Sequence, residues 1–205
     1  MKHSKRRLSL VPKNLASYAD ETGHPDDPNL EYVGMAGFVA PYGAWEIFAG
    51  GWQDLLRNAG LREPFHMVDF AHSRGQFESR KGKEEMREAF LGRALNLIVE
   101  TRATPFGAIV SLSSFRSLTH QQQTNSLDPY YLAFQNCTRG AVVEALSEEP
   151  EEKVAMVYAY QSEYGTNNGG RAEQLWHDEK DLGYRRLDRL VCFCHTHRPM
   201  PLAGC

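Results

Sequence analysis

Cysteine is scarce, with four in 205 residues, and the two closest, Cys192 and Cys194, are one residue apart, a spacing poorly suited to an intramolecular disulfide framework. The expected compartment is a reducing cytoplasm. Long apolar runs are also missing. The longest, around Met35–Ala40 and Phe106–Leu112, are strand-sized and far short of the ~18–20 residues a membrane span needs. The basic start with Lys2, Lys5, Arg6 and Arg7 is followed only by Leu8-Ser9-Leu10-Val11 before Pro12, too short for a secretory signal. Neither charge sign dominates: 23 Lys and Arg stand against 26 Asp and Glu, for a net charge of -3. That balance excludes a wholesale polyanion-binding surface and leaves any nucleic-acid contact local.

What is present suffices for one core, since hydrophobic residues make up 41% and aromatics 11% of the chain. At roughly 100–200 residues per domain the length predicts a basic tail over residues 1–13 and a single domain over 14–205. Asn14–Ala19 is a short strand that stops at Asp20-Glu21-Thr22-Gly23, and His24–Asn29, with Pro25 and Pro28, turns the chain into a returning strand at Tyr32–Val39. Trp45, Phe48, Ala49, Trp52, Leu55 and Leu56 recur at helical spacing, ending at Gly60. Phe65–Phe70 is a short strand or extended segment, and Met86, Phe90, Ala94, Leu97 and Ile98 mark a long amphipathic helix. Phe106–Phe115 is β-rich and Gln121–Gln123 is loop. Asp128 and Pro129 then cap and open a helix carrying Tyr131, Phe134, Cys137, Ala141 and Val142. Val154–Tyr160 is a strand, Arg171–Asp181 a polar helix and Leu190–Cys194 a last strand. The alternation predicts an α/β domain with a mixed sheet whose ligands gather where strands end.

Three acidic positions fall at such expected ends: Asp20 with Glu21, Asp69, and Glu163. Carboxylates there suit Mg²⁺ or Mn²⁺, which prefer oxygen ligands, and two such ions support phosphodiester hydrolysis. Solvated turn formers have the same composition. Cys192-Phe193-Cys194-His195-Thr196-His197 offers zinc ligands at the wrong spacing for common fingers, and buried free thiols account for it better. Gly165–Gly170 with Arg171 reads as a phosphate cradle or as a plain strand-to-helix loop. Arg185, Arg186 and Arg189 form a phosphate-contacting patch or a solvated face. Trp45, Phe48 and Trp52 are expected in the core rather than stacking on bases.

Tyr18-Ala19-Asp20-Glu21-Thr22-Gly23 resembles the Tyr-x-Asp-Glu-Ser/Thr-Gly opening of the family catalogued as domain of unknown function 3800. Tyr32–Val39, Phe65–Phe70, Val154–Tyr160 and Gly170-Arg171-Ala172-Glu173 follow in the order that family shows. The similarity covers roughly residues 14–201. It implies a ribonuclease H-like mixed sheet flanked by helices, opening with a β-hairpin, and a divalent-metal site. The resemblance makes Asp20 the principal metal ligand and Glu21 a second ligand or a supporting carboxylate. His66 matches a position where the family often ends in Lys or His, and Asp69 follows as a phosphate-side helper or a turn residue. Glu163 is the nearest acid after Val154–Tyr160, although Gln161 stands closer to where many members carry Asp. Arg171 is the expected substrate contact.

Family members usually continue from Pro-Leu into a Gln-x-Ala-Asp-Leu helix with another acid. Here Pro201-Leu202 is followed by Ala203-Gly204-Cys205, so the expected site is incomplete. The sequence therefore predicts a Mg²⁺- or Mn²⁺-dependent nuclease of bacterial or phage type with nucleic acid as partner. The alternatives are a non-catalytic interaction protein of the same fold in a mobile-element or defence setting, and a hydrolase of small phosphorylated molecules.

Overall fold

The computed structural model describes residues 15–62, 65–118, 128–148, 154–159 and 190–196. The expected tail, the Gln121–Gln123 loop, the glycine loop with Arg171 and the polar helix after it, Gln161, Glu163, Arg185, Arg186, Arg189 and Pro201–Cys205 lie outside these.

The chain opens with a hairpin of β1 (Leu15–Thr22) and β2 (Tyr32–Pro41), in register from Leu15 with Pro41 to Thr22 with Gly34. Strand β1 therefore does not stop before Asp20, as expected, but runs on through it. Main-chain pairing of Asp20 with Ala36 and Glu21 with Met35 carries the strand past its polar residues. The turn starts at Gly23, whose φ of 81° favours glycine, and Asp27 folds it by accepting at Oδ1 from the Asn29 N–H at 2.9 Å. At Gly37 the strands come so close that a Cβ would lie 2.1 Å from the Tyr18 carbonyl oxygen.

Helix α1 (Tyr42–Asn58) leaves β2 directly, and Gly60 at φ 65° turns the chain beyond its end. Then come α2 (Met67–Ala71), a 3₁₀ helix (Gly75–Arg80), α3 (Glu84–Thr101), β3 (Thr104–Ser111), α4 (Leu112–Arg116), α5 (Pro129–Glu148), β4 (Val154–Ala159) and β5 (Leu190–Thr196). The sheet order is β3-β2-β1-β4-β5. Strands β1, β4 and β5 are parallel, and β2 is antiparallel to both β1 and β3. The protein is thus an α/β fold with a mixed sheet flanked by helices, beginning with a hairpin.

Two expectations are corrected. Phe65–Phe70 is extended only at its start, where His66 has φ -108° and ψ 119°, and its last four residues form the beginning of α2. Phe106–Phe115 is not one β run: Ser111 caps α4 by accepting at Oγ from the Ser114 N–H at 3.3 Å, and the strand ends there.

One sheet face packs against α5. Leu15, Ala19, Met35, Val39, Phe106, Val154, Met156 and Tyr158 meet Tyr130, Phe134, Cys137, Ala141 and Val142. Hydroxyls pair inside it: Thr138 Oγ1 lies 2.6 Å from the Tyr158 hydroxyl and donates to the Phe134 carbonyl at 2.9 Å, while the Ser17 hydroxyl rests 2.8 Å from Met156 Sδ. On the opposite face α1 covers Ala16 and Ala40 with Trp45, whose indole N–H donates to the Ala16 carbonyl at 2.8 Å. This places Trp45 in the core, as expected.

Trp45, Phe48 and Trp52 form a run of ring contacts along α1 into a second core. There Trp52, Phe65, Phe70, Phe77 and Phe90 pack with Leu55, Leu56 and Leu61. Two arginines close its polar ends. Arg80 is buried, donates to the Ala59 carbonyl and lies over the Phe90 ring. Arg87 donates to the Phe70 and Ala71 carbonyls at 3.1 and 2.9 Å, capping α2. The Gln76 carboxamide bonds both main-chain groups of Arg62, accepting from its N–H at 2.8 Å and donating to its carbonyl at 2.9 Å.

Candidate functional site

Strand β1 is central, and the chain leaves it in one direction to β2 while β4 lies on its other side and leads to β5. Parallel β1 and β4 end on the same side of the sheet, the side on which open α/β sheets bind their ligands. Asp20 stands at this end. The register joins Ala19 with Tyr158, one position before β4 ends at Ala159.

Alternation along β1 sets Asp20 on the face shared by Ala16 and Tyr18, and Glu21 on the α5 face shared by Ser17 and Ala19. Asp20 is exposed and its Oδ1 accepts the Glu21 N–H at 3.0 Å; Glu21 is half-buried. Adjacent strand residues point apart, so the two carboxylates leave β1 on opposite faces of the sheet. Asp20 has a flat surround, because Ala36 and Gly107, its neighbours across the sheet, are small and exposed.

His66 and Asp69 belong to the aromatic unit. His66 is exposed just before α2, and Asp69 is half-buried within it, its main-chain carbonyl accepting from the Arg74 N–H at 2.8 Å. Asp69 therefore does not sit at a strand end, since the segment that carries it is helical. Among the described residues no group of three or more His, Cys, Asp and Glu is placed to hold a metal ion. Glu163 and Arg171 fall outside the described residues. Cys192, Cys194 and His195 stand on β5 in register with Ala155, Val157 and Tyr158.

One charged grouping was read in the sequence only as a turn and a cap. Asp128 Oδ1 accepts the Tyr130 N–H at 2.8 Å at the start of α5. Burial raises its carboxyl above the usual range; the Tyr130 bond and the field of His24 oppose the rise, and Asp26 adds to it. The β1–β2 turn and the start of α5 thus share an electrostatic environment. Only the Asp-Pro cap signal pointed there. Behind the site, burial pushes the Cys137 thiol up to about 12, and the Tyr158 phenol well above its ordinary value. Both stay protonated and supply no nucleophile.

No protein-family model and no curated protein matches the chain. No helix among the described residues is long and apolar enough to cross a membrane.

Proposed function

We propose that the chain is a divalent-metal-dependent nuclease on a ribonuclease H-like sheet, acting on nucleic-acid phosphodiesters in the cytoplasm, with Asp20 as principal metal ligand. The observation that carries this reading is the position of that carboxylate. It is exposed, on the central strand, at the carboxyl end where β1 and β4 adjoin. Its sequence setting supports the same reading, through the resemblance of Tyr18–Gly23 to the opening of the domain of unknown function 3800 family.

The described residues fit Mg²⁺ or Mn²⁺ as one carboxylate does, since Mg²⁺ keeps several waters and takes only one or two protein carboxylates. Bound there, such an ion would supply Lewis acidity at a phosphoryl oxygen. Glu21, on the far face, acts through the strand end rather than as a paired ligand. Glu163 is the candidate second ligand and Arg171 the phosphate contact, both following β4 in the sequence. His66 and Asp69 remain candidates for proton transfer or phosphate contact.

A second reading, a non-catalytic interaction protein of the same fold, is favoured by the lack of a three-ligand group among the described residues. Cleavage of labelled single- and double-stranded DNA and RNA with Mg²⁺ or Mn²⁺ separates the two. Asp20→Asn keeps the acceptor for the Glu21 N–H and removes the charge. Cleavage by the native chain that drops at least a hundredfold in Asp20→Asn, with unchanged circular dichroism, supports the nuclease. No cleavage by either protein moves the reading to the interaction protein.

A further inference from the structure

Strand β3 forms one edge of the sheet. The Leu112 N–H donates to the Glu31 carbonyl at 2.9 Å, and that pair extends the register joining Tyr32 with Ser111. Antiparallel pairs alternate between those that exchange both hydrogen bonds and those that exchange none. Phe106, Ala108 and Val110 therefore bond inward to β2. Two close approaches agree: the Met35 carbonyl oxygen lies 3.0 Å from where Gly107 would carry a Cβ, and the Ala108 oxygen 3.2 Å from that point on Gly34. Both carbonyls are directed across the β2–β3 seam. Pro105, Gly107, Ile109 and Ser111 then aim their main-chain groups outward, where the missing N–H of Pro105 removes nothing from the β2 ladder.

No strand pairs with this edge among the described residues; of its outward groups, the Ser111 carbonyl is taken up as the cap of α4. Exposed edges are usually guarded by charge, often lysine. The eight residues of β3 carry none. Ile109 is 75% exposed and Gly107 is exposed on the same face.

We propose that β3 pairs antiparallel with β3 of a second copy of this chain, across a two-fold axis at Ala108. The strand is complementary to itself in that register. Ile109 lies opposite Gly107 of the partner subunit, so a bulky side chain meets bare main chain on both sides of the axis. Pro105 lies opposite Ser111 of the partner subunit, whose N–H finds the Pro105 carbonyl. Each Gly107–Ile109 pair exchanges two hydrogen bonds and each Pro105–Ser111 pair one, giving six across the seam. An uncharged strand meets its copy without like-charge repulsion, and one sheet runs through both subunits.

Sedimentation velocity of the full chain over a concentration series tests this. The native chain is expected to dimerise and Ile109→Pro to stay monomeric, since proline at 109 removes an outward donor as Pro105 does and leaves the β2 ladder intact. Ala108→Cys provides a second arm that does not depend on the proline variant folding. At the axis the two Cα atoms stand ~4.5 Å apart, within disulfide reach, so mild oxidation gives a covalent dimer that the native chain does not give. A native chain that is monomeric throughout, a folded Ile109→Pro that still dimerises, or a failed Ala108→Cys cross-link would each overturn the proposal. Binding of an unrelated extended peptide to a monomer would overturn the choice of partner.

Discussion

The two cores are held together differently. The core between the sheet and α5 mixes small and aliphatic residues with the rings of Phe106, Tyr130, Phe134 and Tyr158, holds hydroxyls and a thiol inside it, and has its geometry fixed by main-chain ladders. The core between α1, α2 and α3 has no ladder; five aromatic rings and two arginines do that work. Where a sheet sets the spacing, the ladder positions rings and small residues alike. Where short helices must be held, large rings and guanidinium groups on free carbonyls replace the missing main-chain bonds.

The comparison breaks most readily at Phe90, whose ring touches Trp52, Phe65 and Phe70. Phe90→Ala should cost about 3–5 kcal/mol, the range for deleting a buried aromatic. If the aromatic unit is its own cooperative block, hydrogen exchange will rise across α2 and α3 while β1 and β2 stay protected. Loss of protection everywhere would show that α1 welds the cores into one unit.

Alkaline pH addresses the sheet core instead. The folded chain holds the Cys137 and Tyr158 protons more tightly than the unfolded chain. Their contribution is complete below the ordinary thiol value of 9.0 and, for Cys137, is lost as pH rises towards about 12. Each group contributes a slope of at most ~1.4 kcal/mol per pH unit. Denaturant titrations from pH 8 upward should show that slope in the native chain and a shallower one in Cys137→Ala; equal slopes would refute the assignment.

Asp128→Ala removes the cap of α5 and should cost about 0.5–2 kcal/mol, read as a lower melting temperature. Tyr158→Phe is expected to be mildest, about 0.5–1.5 kcal/mol, because Thr138 keeps its bond to Phe134. A larger loss would mean that the buried hydroxyl pair, and not the ladder, organises the sheet core.

The sequence disclosed elements whose signals are local. Pro28 and Gly23 mark the hairpin turn, Gly60 the end of α1, and Asp128 with Pro129 the start of α5. It misled where a tertiary partner decides. Phe65–Phe70 alternates like a strand, yet Phe65 and Phe70 serve the ring cluster and Arg87 caps the resulting helix. Asp20 and Glu21 look like a strand end until β2 is seen pairing with both. Asp20 was legible as a candidate from its motif, but that it and Glu21 face apart follows only once β1 is seen to run through both. The aromatic setting of Asp69 was not legible, because it depends on residues far along the chain.

The grip of Gln76 on Arg62 is a clasp. One carboxamide meets an N–H and a C=O of the same residue, as a neighbouring strand would, and converts the stretch between them into a ring. The segment carrying His66 and Asp69 is therefore tethered at both ends, and its freedom is that of a loop already closed. Gln76→Glu keeps the acceptor but turns the donor into a second oxygen facing the Arg62 carbonyl. Above the carboxyl pKa that ring should open, and on acidification it should shut, which turns a passive fastening into a latch that proton concentration alone can work.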